Sequence, residues 1–412
     1  MLKKRMMKTG YLITGGLKIF ALVCSITFFC TGLSAAQLER IPSPKSFSAD
    51  EVHFIVFGDS RKNVLVGKDR YDEDKVRSAR RYNHFRHLVF SDVAASLEKR
   101  EADFTLFTGD FIWMGGDKKQ WQEIHRYFPR GLRSNGSAQM FPVLGNHELL
   151  QEPGKQDALK NYFATFPYLT DGGKGLHNYY FTVGSNLFVS LCSGNTTDDE
   201  KKVRRELDQY WNCDCVVSFD SLMLELLSLL DGVMLEDGLQ NVFVQYHKPS
   251  FSNSVHPPLN SSFDPLMALG QWKKEHPEVN VAVFNGHNHT TEMYRTQEGI
   301  LVMVTGGGGA SQDGYLAAHQ HTKQTPDELF WQTLGKVERE PRINYFRVDI
   351  DAEGQAVIRE MVLVIDGGLF PHLKTHFAEG VRILANGEML PPVIQLESIR
   401  MKRLLHARMG AR

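Results

Sequence analysis

The sequence lacks the features that mark several classes of protein. Its formal net charge is only −1 over 412 residues, so its overall charge gives no reason to expect nucleic acid as the main partner. It contains no internal repeat and no low-complexity tract. With 42% hydrophobic and 23% charged residues, its composition is that of an ordinary globular protein. The length suits one large α/β domain with additional segments, or two domains.

Cysteine is also scarce, with five residues in the chain. Cys24 and Cys30 lie in an apolar N-terminal segment, which leaves Cys192, Cys213 and Cys215. Because three is an odd number, at least one thiol is unpaired within the chain. Cys192 could pair with either of the other two in an oxidising compartment. A thiolate metal site at Cys213 and Cys215 would need further ligands that we cannot identify, so a disulfide or a free thiol is favoured.

The N-terminal segment has a basic start and an apolar run that is short for a membrane span. Five basic residues and no acidic residue stand before or at the start of the run: Lys3, Lys4, Arg5, Lys8 and Lys18. The run over residues 19–33 is about 15 residues long, fewer than the ~20 that a spanning helix needs. Because Ser34-Ala35-Ala36 follows, we predict a signal peptide over residues 1–36 and an exported protein, periplasmic, extracellular or in the cell envelope. An uncleaved membrane anchor is the alternative.

The rest of the chain alternates between strand and helix patterns. We predict helices near residues 84–100, 155–166, 220–235 and 264–276, and a hairpin over 344–364. Residues 37–50 are expected to form a linker, 51–310 the core, 311–365 its completion with C-terminal strands, and 366–412 a weakly patterned tail. Within these, residues 62–83 and 111–138 are interpreted as loops, and residues 311–340 as a polar surface excursion.

Five apolar, strand-like runs end in side chains that could bind a metal. These side chains are Asp59, Asp110, Asn146, His247 and the pair His287 and His289. In open α/β sheets, the loops beyond the carboxyl ends of the strands gather at one edge and build the site there. Six ligands exceed the need of one tetrahedral ion and suit two ions bridged by a carboxylate. Oxygen and imidazole ligands favour Zn, Mn or Fe, and two such ions could clamp a phosphoryl group.

These motifs resemble those of the calcineurin-like metallophosphoesterases, which include the purple acid phosphatases. The resemblance covers roughly residues 50–310 and rests on motifs that occur in the family's order: Gly58-Asp59, Gly109-Asp110, Gly145-Asn146-His147-Glu148, His247 and Gly286-His287-Asn288-His289. It implies a two-sheet α/β sandwich flanked by helices, with a dinuclear metal site at the carboxyl ends of strands. It also implies that a phosphate ester is hydrolysed by in-line attack of a metal-bound hydroxide.

The resemblance implies a role for each residue of these motifs. Six residues would bind the ions: Asp59 and His289 the first, Asn146, His247 and His287 the second, and Asp110 both. His147 would stabilise the transition state or protonate the leaving group, and Glu148 would orient His147. The substrate stays open among monoesters, diesters, nucleotides, lipids and phosphoproteins.

The chain departs from the family pattern at two positions. Arg61 stands where most members have a histidine ligand to the first metal, and a guanidinium cannot bind a metal. Trp113 stands three residues after Asp110, where the purple acid phosphatases have a tyrosine ligand. Arg61 could instead bind substrate phosphate together with Asn146, since its planar fork suits that geometry. The alternative function is a catalytically impaired binding protein on the same scaffold, with a depleted first metal site.

The sequence contains one further feature that could bind phosphate. Gly306 to Gly309 could cradle a phosphate through backbone N–H groups, but no Lys-Ser/Thr pair of a P-loop follows. A close-packed loop is the alternative interpretation. His256, His319 and His321 match no motif and are expected to be surface residues.

Overall fold

Two β-sheets pack face to face in the computed structural model, and helices pack on their outer faces. The structure describes residues 38–44, 51–63, 73–128, 139–150, 157–171, 173–193, 219–252, 254, 265–311, 330–333, 343–365, 375–384 and 389–390. The described helices are α1 (Glu73–Glu98), α2 (Lys118–Tyr127), α3 (Ala158–Thr165), α4 (Phe219–Asp237) and α5 (Pro265–Glu275). A short 3-10 helix covers Pro167–Leu169.

The larger sheet has eight strands among the described residues, in the order β1-β7-β8-β9-β10-β12-β11-β13. In chain order they are β1 (Glu39–Arg40), β7 (Tyr179–Val183), β8 (Asn186–Leu191), β9 (Asn241–Tyr246), β10 (Asn280–Asn285), β11 (Thr291–Arg295), β12 (Leu301–Thr305) and β13 (Phe330–Thr333). Its centre is parallel, because β8, β9, β10 and β12 pair in the same direction.

The smaller sheet has seven strands in the described part of the chain, in the order β17-β16-β15-β14-β2-β3-β4. In chain order they are β2 (Val52–Phe57), β3 (Phe104–Phe107), β4 (Met140–Pro142), β14 (Asn344–Ile350), β15 (Ala356–Ile365), β16 (Thr375–Leu384) and β17 (Met389–Leu390). Strands β2, β3 and β4 are parallel, so their carboxyl ends meet at one edge. A separate pair joins β5 (Thr170–Asp171) to β6 (Lys174–Gly175).

Aromatic side chains fill the space between the two sheets. The ring of Phe54 on β2 lies 5.2 Å from that of Phe188 and 5.1 Å from that of Phe243, both on the larger sheet. Phe104 on β3 packs on Phe188 in the same way, at 5.2 Å. All four side chains are buried, and each removes about 150–250 Å² from water. The sheets are therefore joined by a continuous core, as the predicted two-sheet α/β sandwich requires.

The helices bury apolar stripes on the outer faces of the sheets. Leu222, Leu226 and Leu230 of α4 recur every four residues and pack in a second core against the larger sheet. On the smaller sheet, Phe90 of α1 lies 6.1 Å from Phe57 of β2. Within the described residues, the helices are too short or too polar to cross a membrane.

Two helices occupy regions that the sequence patterns describe as loops. Helix α1 begins at Glu73, so residues 73–83 are helical rather than part of an inserted loop. This first part of α1 is largely exposed and polar, so it has no apolar periodicity to detect. Helix α2 lies inside the expected loop over 111–138. The Asp117 side chain caps α2 by accepting a hydrogen bond from the Lys119 N–H at 2.9 Å.

Four of the described strands lie in segments that were expected to be irregular, and the shorter of the two in the tail, Met389–Leu390, pairs with β16. Glu39–Arg40, in the expected linker, pairs with β7, and Phe330–Thr333, in the expected surface excursion, pairs with β11. Thr375–Leu384 pairs along β15 and extends the smaller sheet beyond residue 365. The signal segment, Cys213, Cys215 and the three unmatched histidines lie outside the described residues, so those predictions stay untested. Cys192 is buried.

Candidate metal centre

The predicted ligands lie on loops at the carboxyl ends of five strands. Asp59 follows β2, Asp110 follows β3, Asn146 follows β4, His247 follows β9, and His287 and His289 follow β10. Three of the six have a left-handed backbone: φ is 52° at Asp59, 64° at Asp110 and 69° at His287. This conformation is uncommon for residues other than glycine and costs about 1–3 kcal/mol each. The fold therefore holds these loops in a strained arrangement that aims the side chains at one point.

Glycines let the loops approach one another closely. A Cβ atom at Gly58 would collide with the Thr108 side chain. One at Gly286 would stand 2.7 Å from a carboxylate oxygen of Asp59 and 2.8 Å from the Thr108 carbonyl oxygen. Gly58 and Gly286 are therefore required by packing, because any side chain at either position would push the ligand loops apart.

One half of the cluster is formed by Asp110, Asn146, His247 and His287. Asn146 Oδ1 lies 3.0 Å from His247 Nε2 and 3.0 Å from His287 Nδ1. Asp110 Oδ1 lies 3.4 Å from His247 Nε2. The Nδ1–H of His247 donates to the Thr108 carbonyl oxygen at 2.7 Å, so the lone pair of its neutral ring is on Nε2 and faces the cluster. Carboxylate, amide and imidazole atoms thus converge on one point, as the ligands of a cation do.

The other half contains Asp59 and His289, together with Arg61. Asp59 Oδ1 lies 3.6 Å from His289 Nε2, and both side chains are buried. The Nδ1–H of His289 donates to the Ser311 carbonyl oxygen at 2.6 Å. Arg61 extends between the two halves: its Nη2 lies 3.5 Å from His289 Nε2 and its Nε 3.8 Å from Asp110 Oδ2. The guanidinium therefore lies between the ligand expected to bridge and a ligand expected for the first ion.

Trp113 holds both Arg61 and His147. The Arg61 guanidinium carbon lies 4.6 Å from the centre of the Trp113 ring, in a cation–π contact. The His147 ring lies 4.8 Å from that of Trp113, and its Nδ1–H donates to the Trp113 carbonyl oxygen at 2.6 Å. The sequence marks Trp113 only as a departure from a motif, and its place three residues after Asp110 is the signal that singles it out.

Charge and burial set the protonation of the central groups. Burial raises the pKa of Asp110, but the nearby His247, His147 and Arg61 outweigh it and hold that pKa below its usual value. Burial lowers the pKa of His147 to about 4, although the Asp110 carboxylate opposes the shift. At neutral pH, the His147 Nε2, 3.9 Å from Asp110 Oδ2, therefore carries a lone pair.

Glu148 acts on the loop backbones rather than on the imidazole of His147. Its carboxylate accepts hydrogen bonds at 2.8 Å from the N–H groups of Asp110, Phe111 and Gly145. These groups belong to the loops that follow β3 and β4. Glu148 therefore has a different role from the one expected. The Trp113 carbonyl oxygen orients the His147 ring, and Glu148 joins the loops that carry Asp110 and Asn146.

The two halves of the cluster differ in how well they fit a metal ion. Ligand atoms of Asp59, Asp110 and His247 lie within 4.8 Å of one another, so the Asp59 carboxylate reaches across to the half that contains Asp110 and His247. The half with Asp110, Asn146, His247 and His287 offers the oxygen and imidazole donors that Zn, Mn or Fe accept. In the half with Asp59 and His289, the Arg61 guanidinium lies against the expected ligands. A divalent ion ~4 Å from a guanidinium would be repelled by about 8 kcal/mol at an effective dielectric constant of ~20.

The glycine run after β12 packs against the metal loops. A Cβ atom at Gly306 would collide with the Asn288 carbonyl oxygen, and one at Gly308 with the Gly58 carbonyl oxygen. Gly309, at φ 113°, has no room for a Cβ beside the Arg86 backbone. The glycines therefore allow close packing, which supports the interpretation of this run as a close-packed loop.

A two-sheet sandwich with carboxylate, amide and imidazole groups gathered at its strand ends is a scaffold that could hold metal ions. The family model of the calcineurin-like phosphoesterases matches residues 53–291, which is more than half of the chain. The chain therefore belongs to the calcineurin-like phosphoesterase family, as its motifs predict. No curated protein sequence matches it significantly.

Several solved structures resemble this fold at low sequence identity. A purple acid phosphatase from yellow lupin (Lupinus luteus) seeds is 14% identical, with a TM-score of 0.47 over 78% of this chain and 53% of that chain. A dimetal phosphatase from Danio rerio is 12% identical, with a TM-score of 0.44 over 75% of this chain and 95% of that chain. The anchor protein GAP50 of the inner membrane complex of Plasmodium is 14% identical, with a TM-score of 0.44 over 80% of this chain and 89% of that chain. The chain thus spans about half the length of the lupin enzyme.

Proposed function

We propose that the protein is an exported phosphoesterase that hydrolyses a phosphate ester at the cluster of Asp110, Asn146, His247 and His287. The observation that carries this proposal is the convergence of the Asn146 oxygen and the two imidazole nitrogens, at 3.0 Å, beside the Asp110 carboxylate. A divalent ion held there would act as a Lewis acid and would lower the pKa of water to the neutral range. The six-ligand pattern suggests two ions. The guanidinium of Arg61 lies between the two halves of the cluster and therefore affects how many ions can bind.

The protein's own side chains would position the ester and move the proton. Arg61 has the charge and the planar donor fork to bind phosphoryl oxygens, and its contact with Trp113 fixes its orientation. His147 donates from Nδ1 to the Trp113 carbonyl oxygen, so Nε2 is the atom at which it would take up or deliver a proton. Asp110 lies between the two, 3.8 Å from Arg61 Nε and 3.9 Å from His147 Nε2, and would hold both in place.

The test is turnover of para-nitrophenyl phosphate and bis-para-nitrophenyl phosphate. We expect hydrolysis that is lost on chelation and restored by Mn, Zn or Fe. Replacing His147 by alanine should lower kcat by about 10²–10⁴-fold, the usual contribution of a positioned proton-transfer group. His276→Ala is the matched control, because His276 lies after α5, where it packs on Trp272 away from the cluster. A folded protein that hydrolyses neither ester with any of the metals would contradict the proposal and favour the binding protein.

We infer that export depends on residues 1–36, on the basis of their basic start, apolar run and small residues. Expression of the full chain in a secreting bacterial host should yield an exported protein whose sequence starts at Gln37. The control is the chain without residues 1–36, which should stay inside the cell. The measurement is N-terminal sequencing of the exported fraction. An exported, membrane-attached protein that still starts at Met1 would show that the segment is an anchor instead.

A further inference from the structure

The Arg61 guanidinium lies where a cation would be expected to bridge the two halves of the cluster. Its Nε lies 3.8 Å from Asp110 Oδ2 on one side, and its Nη2 lies 3.5 Å from His289 Nε2 on the other. Its side chain is only 12% exposed, so its charge is compensated by protein groups rather than by water. Asp110 and Asp59 are the carboxylates of the two halves, and both are buried.

The lone pair of His289 faces Arg61. Because Nδ1–H of His289 donates to the Ser311 carbonyl oxygen, the neutral ring has its lone pair on Nε2. His289 Nε2 lies 3.5 Å from Arg61 Nη2, which can only donate, and 3.6 Å from Asp59 Oδ1, which can only accept when it is ionised. The electron pair that a first metal ion would need is therefore directed at an N–H group of the guanidinium. By contrast, Nε2 of His247 on the other half lies 3.0 Å from the Asn146 oxygen and 3.4 Å from an Asp110 oxygen, and a cation bound between these atoms would be attracted by all three.

The charge of the cluster leads to the same conclusion. Two carboxylates, those of Asp59 and Asp110, face the centre, whereas Glu148 is committed to backbone N–H groups. One divalent ion together with the guanidinium leaves a single excess positive charge, which suits an anionic phosphate ester. Two divalent ions together with the guanidinium would leave a large uncompensated charge in a buried site, which is strongly unfavourable.

We propose that Arg61 takes the place of the first metal ion, so that the site binds one divalent ion, at Asp110, Asn146, His247 and His287. The guanidinium is then the second cation and binds the phosphoryl group from the side opposite the ion. Trp113 supports this arrangement, because the two positions that depart from the family motif touch each other at 4.6 Å. The substrate in this inference rests on the proposed function. The test measures metal content alone and needs no turnover.

The first measurement is metal stoichiometry of the purified full chain after loading with Mn²⁺ and removal of free metal. We expect one ion per chain, with the electron paramagnetic resonance spectrum of isolated Mn²⁺. Arg61→His, which removes the guanidinium and offers an imidazole, should bind two ions and give the spectrum of an exchange-coupled pair. Lys62→His is the matched control, because Lys62 points to Glu123 at 3.7 Å and not to the cluster; it should still bind one ion.

Substitution of His287 and of His289, which lie on the same loop, tests the proposal independently and leaves Arg61 unchanged. His287→Ala should reduce bound Mn²⁺ to near zero, whereas His289→Ala should keep the one ion. Two ions in the unaltered chain, or loss of the ion in His289→Ala, would overturn the proposal, and so would one ion in a folded Arg61→His variant. Each of these results is independent of turnover. One bound ion without hydrolysis would uphold the arrangement of the site and contradict only the proposed function.

Discussion

Replacing Asp110 by asparagine is expected to lower kcat/KM for para-nitrophenyl phosphate by about 10³-fold or more and to release the bound metal. The carboxylate lies within 4 Å of His247, Arg61 and His147 and accepts a hydrogen bond from the His147 N–H at 3.0 Å. Asparagine keeps the shape but removes the charge that all of these groups face. Removing one partner of a buried charge pair costs about 3–5 kcal/mol, a range that includes the ~4 kcal/mol that corresponds to 10³-fold.

The same substitution at Asp103 provides the matched control. Asp103 stands immediately before the amino end of β3, whereas Asp110 follows its carboxyl end, and both side chains are buried. Asp103 accepts a hydrogen bond from the His53 N–H at 2.8 Å and lies away from the cluster. Asp103→Asn should therefore change stability while metal content stays the same. Equal metal content in Asp110→Asn and the unaltered chain would show that Asp110 is not a ligand.

The sequence predicts the positions of the ligands well because their signal is local. A buried parallel strand followed by glycine and a polar residue is visible without tertiary information, and parallel strands bring their carboxyl ends together. The loop after β10 illustrates this: the apolar run, Gly286 and the two histidines are contiguous. The largely exposed first turns of α1 were missed because they have no apolar periodicity, whereas α2 is amphipathic but short, with only Trp121 and Ile124 buried.

The roles of Arg61, Trp113 and Glu148 could not be predicted, because each depends on contacts made across the fold. Arg61 and His289 are 228 residues apart in sequence, yet they lie 3.5 Å apart in the structure. Motif comparison shows only that Arg61 cannot be a ligand, and not that it fills the space of an ion. Similarly, a glutamate next to a histidine suggests a side-chain partner, whereas Glu148 in fact binds the backbone of two loops.

Replacing Glu148 by alanine is expected to lower the free energy of unfolding by about 3 kcal/mol or more. Its fully buried carboxylate accepts from three N–H groups, and each buried donor left without an acceptor costs about 1–3 kcal/mol. The measurement is urea denaturation followed by circular dichroism. Glu225→Ala is the matched control, because the Glu225 carboxylate accepts a single N–H, from Leu38 at 2.9 Å, and should cost about 1 kcal/mol.

Metal affinity should fall together with stability in the Glu148 variant. The three N–H groups belong to the loops that carry Asp110 and Asn146, so loosening them moves two ligands at once, and loss of such an outer partner typically costs about 10–100-fold in affinity. If Glu148 instead oriented the His147 ring, Glu148→Ala would alter the pH dependence of kcat and leave unfolding and metal affinity unchanged. Parallel losses of stability and affinity would therefore identify Glu148 as the residue that holds the two metal loops together.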